Sequence, residues 1–217
     1  MRLLGLIIAL GLCVGTQAAA QTFASCTKAE QAIVGDALTG SKAIALRAAA
    51  NVGNNDIYER WFGKFSLRNG ELVRRNLKAV VTAIRTGQIT AQCDNVGFDG
   101  CERDTYAWVY PDEPYLVHLC PNFFTLPTMT QLSPGDPKSE NGTREGTMIH
   151  EISHFFRVAG TDDVCYSRQV CSDMAARDAS DALINADSYQ YFAEDVSHFF
   201  INDPTGLISV ADQDGRP

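Results

Sequence analysis

The stretch from Gly146 to Tyr166, GTMIHEISHFFRVAGTDDVCY, constrains this chain more than any other. It carries His150, Glu151 and His154 in the pattern H-E-x-x-H. On a helix, positions i and i+4 lie one above the other on the same face, so the pattern works only if this stretch is helical. The two imidazoles can then offer nitrogens to one divalent ion, at roughly 2.0–2.1 Å for zinc. Glu151 lies one residue on, within reach of a metal-held water without being a ligand itself. Zinc brings the pKa of such a water to about 7, and a carboxylate at Glu151 suits the proton transfer from water to a leaving amine. A catalytic zinc also needs a third protein ligand and one open position. Glycine commonly follows a helix C-terminus, so the helix is expected to end near Ala159-Gly160. Past that turn, Thr161-Asp162-Asp163 can fold back under the helix and bring a carboxylate to the ion. Bare H-E-x-x-H also arises by chance on amphipathic helices, so this acidic turn matters as much as the motif.

H-E-x-x-H followed by G-T-x-D and then a tyrosine resembles the aspzincins, the family of deuterolysin and peptidyl-Lys metalloendopeptidase. The resemblance implies a zinc endopeptidase in which Asp163 is the third ligand and Tyr166 supports the oxyanion. Asp162 is then a solvated or turn-capping residue. Two further segments carry the likeness: Cys120-Pro121 with Phe123-Phe124, and Asn185-Ala186-Asp187 with Tyr189 and Tyr191-Phe192-Ala193-Glu194. In peptidyl-Lys members the aspartate at the position of Asp187 lines the pocket that receives lysine after the cut bond. A second acidic residue three positions on helps define that pocket, and here the position holds Gln190. Strict lysine selectivity is therefore not expected. The other reading of Asp187 is a helix cap, or a carboxylate that orients a zinc histidine from behind. Glu194 is a comparable candidate for such support, with no role assigned.

Export is the next expectation. Met1 to about Ala20 has the plan of a secretory signal peptide: Arg2, the apolar run Leu3–Val14, then Thr16-Gln17-Ala18-Ala19-Ala20. The run is too short to span a bilayer. Removing the segment takes away Arg2 and no acid, so the net charge moves from −8 to −9. Such acidity argues against nucleic acid as a partner, because phosphate binding needs a basic face. Protein or peptide substrates are expected instead, with no membrane association after signal removal and a monomeric state. Cys13 leaves with the signal and six cysteines remain, an even count that reads as disulfides in an exported chain. Six allow fifteen pairings. The resemblance favours Cys26–Cys93 and Cys101–Cys120, with Cys165–Cys171 closing a local loop behind the ligand turn. A zinc ribbon is the rival, but the chain has no C-x-x-C pair to support it. Deuterolysins carry a long pro-segment, and the few residues between Ala20 and Cys26 leave no space for one. The expected plan is that of the shorter peptidyl-Lys type, secreted or, in a bacterial host, periplasmic.

Along the chain, Thr27 to Ala50 reads as a helix, with Gly35 and Gly40-Ser41 as candidate bend points. Asn51–Asn55 breaks it. Ile57–Phe65 carries Tyr58, Trp61, Phe62 and Phe65 as a helical stripe of core aromatics. Asn69-Gly70 marks a turn, and Glu71–Ile84 reads as an amphipathic helix with Arg74, Arg75 and Lys78 on its solvated face. Gln92–Val96, Tyr106–Tyr110 and Tyr115–Cys120 read as strands of a small antiparallel sheet. Tyr115–Leu119 is the candidate edge along which an extended peptide adds, and His118 is a strand-face residue. Pro127, Pro134, Gly135, Pro137 and Gly142 keep the segment before Gly146 irregular, and Asn141-Gly142-Thr143 is a glycosylation acceptor in a host that glycosylates. Ser167–Ser172 reads as a loop and Met174–Ala186 as a helix. His198-Phe199-Phe200 ends the last helix, Asp203-Pro204 stops it, and Ala211–Pro217 is a frayed tail.

The expected fold is a single zincin-like α+β domain over residues 21–217, mostly helical with the small antiparallel sheet. The zinc helix forms the floor of a cleft, with the helical half and the sheet on one side. The expected function is a secreted zinc endopeptidase. The site comprises His150, His154 and Asp163 as ligands, Glu151 and Tyr166 as catalytic groups, and Asp187 toward substrate. The rival function is a secreted non-catalytic effector that keeps a structural zinc site.

Overall fold

The computed structural model describes residues 22–86, 88–97, 100–132 and 140–202, with 199–202 described by backbone alone. The expected signal peptide, part of the irregular segment before the motif helix, the Asp203-Pro204 stop and the C-terminal tail lie outside these residues. Strand β1 (Thr22–Ala24) leads into α1 (Lys28–Ala50), α2 (Asp56–Phe62) and α3 (Leu67–Arg85). Strands β2 (Thr90–Cys93), β3 (Ala107–Trp108) and β4 (Leu116–Leu119) follow. The motif helix is α4 (Arg144–His154), and α5 (Arg168–Arg177), α6 (Ala179–Ile184) and α7 (Ala186–Asn202) complete the described chain.

Capping explains several starts. Thr27 and Glu30 form a reciprocal capping box at α1: Glu30 N–H donates to Thr27 Oγ1 (3.3 Å) and Thr27 N–H to Glu30 Oε2 (2.7 Å). Helix α1 then runs unbroken past both candidate bend points. Ser66 caps α3 by accepting from Asn69 N–H, so this helix starts four residues before Glu71 and absorbs the Asn69-Gly70 turn signal. Packing overrides the local preference: a Cβ at Gly70 would lie 2.6 Å from Phe65 Cε2, so the glycine makes room for that ring. The expected Met174–Ala186 helix is two helices. Asp178 stops α5 and caps α6, accepting from Ser180 and Asp181 N–H. Helix α5 also takes up most of the expected Ser167–Ser172 loop.

The sheet is mixed, which corrects the antiparallel expectation. Its order is β1-β2-β4-β3, with β1, β2 and β4 parallel and only β3 antiparallel to β4. Strand β1 gave no sequence signal, being three residues long. Strand β4 is therefore internal and β3 is an edge, so Tyr115–Leu119 is not the edge expected to add a peptide. His118, on β4, is buried as a strand-face residue: its Nδ1 lies 2.7 Å from Asp94 Oδ2 and its ring stacks on Trp108 at 3.7 Å.

Helix α4 packs between α1 and α7 and touches α3 and β3. The aromatic stripe of α2 is core, as expected: Tyr58 and Phe62 meet Phe192 of α7 at ring separations of 6.1 and 5.4 Å. Burying such rings contributes about 1.5–3 kcal/mol each, enough to dominate the placement of α2 against α7. The three disulfides are Cys26–Cys93 and Cys101–Cys120, the pairings the resemblance implied, and Cys165–Cys171, the local loop expected from the remaining pair. The first ties the segment after β1 to the end of β2. Among the described residues, no helix is long and apolar enough to cross a membrane.

Candidate metal centre

Helix α4 is short, so what precedes and follows it sets the site. Thr143 caps its start: Oγ1 accepts from Gly146 N–H at 3.0 Å and donates to Glu194 Oε1 at 2.8 Å. The helix ends at His154, five residues before the expected Ala159. Phe155 leaves helical geometry and is fully buried, its ring edge-on to Tyr115. Its carbonyl gathers the N–H groups of Val158, Ala159 and Gly160, closing a tight turn. Burial of this ring outweighs the propensity to continue the helix, and the early break brings the chain back beneath His154.

His150 and His154 lie on one face with ring centroids 4.8 Å apart. His154 Nδ1 is 2.9 Å from the Thr161 carbonyl oxygen. A carbonyl only accepts, so Nδ1 carries the proton and Nε2 keeps a lone pair. His150 Nδ1 donates to Asp187 Oδ1 at 2.7 Å, leaving its Nε2 free in the same way. Asp163 Oδ1 stands 3.1 Å from His150 Nε2 and 3.4 Å from His154 Nε2. Tetrahedral ligands at zinc bond lengths are separated by about 3.3 Å, and both aspartate–histidine separations match that spacing. Among the described residues they form a group of donors lying within 4.8 Å of one another.

The electrostatics match a cation site. Burial opposes charge on His150 and His154, yet the facing carboxylates outweigh it and raise both pKa values above the ordinary imidazole value. Burial would raise Asp163, but without a metal the two imidazoles, when protonated at Nε2 as well, donate to it and hold it well below the carboxylate range. Glu151 is 5% exposed, and burial raises its pKa against the pull of the neighbouring histidines. Tyr166 stands half out of the surface, its ring nearly parallel to that of His150 at 6.4 Å. Burial and then the Asp163 charge keep its phenol protonated.

The cleft is about 720 Å³. It is lined by Thr105–Val109 around β3 and by Asp163, Tyr166, Asp187, Gln190 and Tyr191. His150, Glu151 and His154 of α4 line it as well. Asp162 lies outside the donor group: its Oδ1 accepts from Asp163 N–H, and its backbone pairs with Ile184 and Ala186. Asp187 has both oxygens engaged, Oδ1 by His150 and Oδ2 by Ser167 N–H at 3.1 Å.

Sequence reasoning missed three contributors. Trp108 lies on the edge strand and lines the cleft; the expected Tyr106–Tyr110 strand is two residues long, too short for periodicity to say which of its residues meets the site. Asn185 accepts from both Val164 and Cys165 N–H at 3.0 Å, holding the turn that carries Asp163. Its place beside Asp187 in the N-A-D segment was the available signal. Arg168, two residues after Tyr166, pairs with Glu194 and Asp195, both at 2.5 Å. No local pattern foretells those partners, which are 26 and 27 residues away.

An α+β domain with three convergent donors on and behind an H-E-x-x-H helix defines a metallopeptidase-type centre. A family profile, the aspzincin group described as lysine-specific metallo-endopeptidase, matches residues 47–194, and the chain belongs to that family. An extracellular protease of Aeromonas hydrophila is 33% identical over 173 residues, covering 78% of this chain and 45% of that protein. A peptidyl-Lys metalloendopeptidase of Pleurotus ostreatus is 28% identical over 178 residues, covering 80% of this chain and 96% of that one. The chain spans somewhat under half the length of other curated relatives it matches. The structure of a zinc peptidase from Grifola frondosa superposes with a TM-score of 0.66 at 24% identity, covering 78% of this chain and 97% of that chain. At that identity the likeness speaks for the fold. Family membership implies a metal.

Proposed function

We propose that this chain is an exported zinc-dependent endopeptidase that hydrolyses peptide bonds in protein and peptide substrates. The observation that carries the reading is the convergence of His150 Nε2, His154 Nε2 and Asp163 Oδ1 beside the buried carboxylate of Glu151. Zinc at these donors would supply Lewis acidity toward the scissile carbonyl and an acidified water. Glu151 is the general base: its raised pKa brings it nearer neutrality, where it can accept a proton and return it to the leaving amine. Tyr166 stays protonated and donates to the oxyanion that develops during attack. An extended substrate adds along β3, the cleft-side edge strand.

Asp187 orients His150 and lends negative charge to the cleft. Both of its oxygens are already engaged, and Gln190 beside it is neutral. The reading is therefore a bias toward a basic residue after the cut, without strict lysine selectivity. Relatives named peptidyl-Lys metalloendopeptidase support the bias. The apolar N-terminal run, the three disulfides and a relative named extracellular protease support export. The enzyme acts as a monomer and binds neither nucleic acid nor, after signal removal, membrane.

Digestion of denatured casein by the zinc-loaded protein tests the reading. Activity is expected to vanish in chelator and in Glu151→Gln, with zinc retained by the variant. Mass-spectrometric mapping of the cut sites should show lysine and arginine enriched after the cut. A zinc-loaded protein that cleaves no peptide would instead indicate a non-catalytic effector.

A further inference from the structure

Tyr166 is 61% exposed, its ring in a loose stack on His150 and its phenol facing the Asp163 carboxylate. Such sparse contacts leave much of its placement to the backbone on either side. On the N-terminal side, Cys165 is tied to Cys171 and to Asn185. On the C-terminal side, Ser167 sits at φ +72°, a conformation that an L side chain keeps only when its neighbours hold it there.

The next residue is that hold. Arg168, whose side chain is 17% exposed, splits its guanidinium between two carboxylates of α7. One nitrogen donates to Glu194 Oε2 and another to Asp195 Oδ1, each at 2.5 Å. The cation also lies 4.6 Å from the Tyr191 ring centroid and 5.6 Å from that of Trp61. Both carboxylates are engaged elsewhere. Glu194 Oε1 accepts from Thr143 N–H and Oγ1, at the cap of α4. Asp195 Oδ2 accepts from Trp61 Nε1 at 2.9 Å and Arg60 at 3.4 Å.

We propose that Arg168 is a positioning residue for Tyr166, clamping the start of α5 to α7 and, through Glu194, to the cap of the helix that bears both histidines. The clamp makes the phenol and the metal ligands one rigid unit, although Tyr166 and Thr143 belong to separate segments. A planar fork with two carboxylates and two flanking rings is held more firmly than a lysine in the same place. The proposal rests on the role given to Tyr166 under the proposed function.

The test is a double-mutant cycle on the zinc-loaded full chain with Arg168→Met and Tyr166→Phe, read by peptide hydrolysis, zinc content and amide exchange. Arg168→Met is expected to lower kcat roughly 10–100-fold, the scale of a displaced catalytic donor, with KM within about threefold and zinc retained. On the Tyr166→Phe background it should cost nothing further, and the amides of residues 165–168 should exchange faster. Should the Met variant not fold, Arg168→Lys replaces it, with a smaller loss that again disappears without the Tyr166 hydroxyl. Losses that multiply, or full kcat in the Arg168 variants, overturn the proposal. If Tyr166→Phe keeps full kcat while Glu151→Gln abolishes it, the peptidase reading survives and the proposal falls. If the wild type cleaves nothing, the peptidase reading fails separately, and unchanged exchange at residues 165–168 would remove the clamp as well.

Discussion

Asp187 Oδ1 lies 2.7 Å from His150 Nδ1, while its other oxygen accepts the backbone N–H of Ser167. One buried carboxylate thus fixes the tautomer of a ligand histidine and the backbone just after Tyr166. Removing it in Asp187→Ala should lower zinc affinity about 10–100-fold, the usual cost of losing a carboxylate behind a ligand histidine. Competition with a zinc-chelating dye measures this, and an affinity unchanged within twofold would refute the orienting role.

Stabilisation by zinc should depend on pH. The facing carboxylates raise His150 and His154 above 6.5, against the effect of burial. Raised imidazole pKa values stabilise the metal-free fold below pH 6.5, and that contribution is lost as pH rises through the folded values. Zinc needs neutral imidazoles, so its contribution grows over the same interval. Thermal unfolding with zinc and with chelator should differ little at pH 5 and by several degrees at pH 8. Equal differences at both pH values would mean that the histidines do not hold the ion.

Helix α4 crosses α7 closely at Gly146, where an added Cβ would lie 1.9 Å from Glu194 Oε1. Glu194 cannot yield freely, because it also holds Thr143 and Arg168. Gly146→Ala should therefore destabilise the protein by about 2 kcal/mol, lowering Tm by roughly 4–8 °C. A Tm unchanged within a degree would show that the two helices part without cost.

The disulfides should contribute unequally. Cys26–Cys93 closes a separation of 67 residues and Cys165–Cys171 one of 6. In the chain-entropy account their loss costs about 4 and about 2 kcal/mol respectively. Denaturant unfolding of paired Cys→Ser variants should show that order. The short bridge should matter more for activity, since it sits behind Asp163 and beside Tyr166.

Much of the site could be read in the residues themselves. Periodicity alone puts His150 and His154 on one helical face, because the pitch of a helix is a local property. The return of Asp163 was legible too, through a glycine turn and the likeness to the aspzincins. Element boundaries were less so. The motif helix ends at His154, not near Ala159, because the ring of Phe155 enters the core, and α3 runs through Asn69-Gly70 because Phe65 needs the space.

Strand direction and long-range partners lay beyond local reading. A two-residue strand such as β3 has no period, and parallel pairing of β1, β2 and β4 depends on crossovers of many residues. The choice of β3 over β4 as the cleft edge follows from that pairing. So do the meeting of Asp187 with His150 and of Arg168 with Glu194, across 37 and 26 residues. Spacing along the chain determined which side chains could bind an ion, since that needs only a helix and a turn. Tertiary packing decided what holds them in place, because orientation comes from buried partners that only the folded chain brings together.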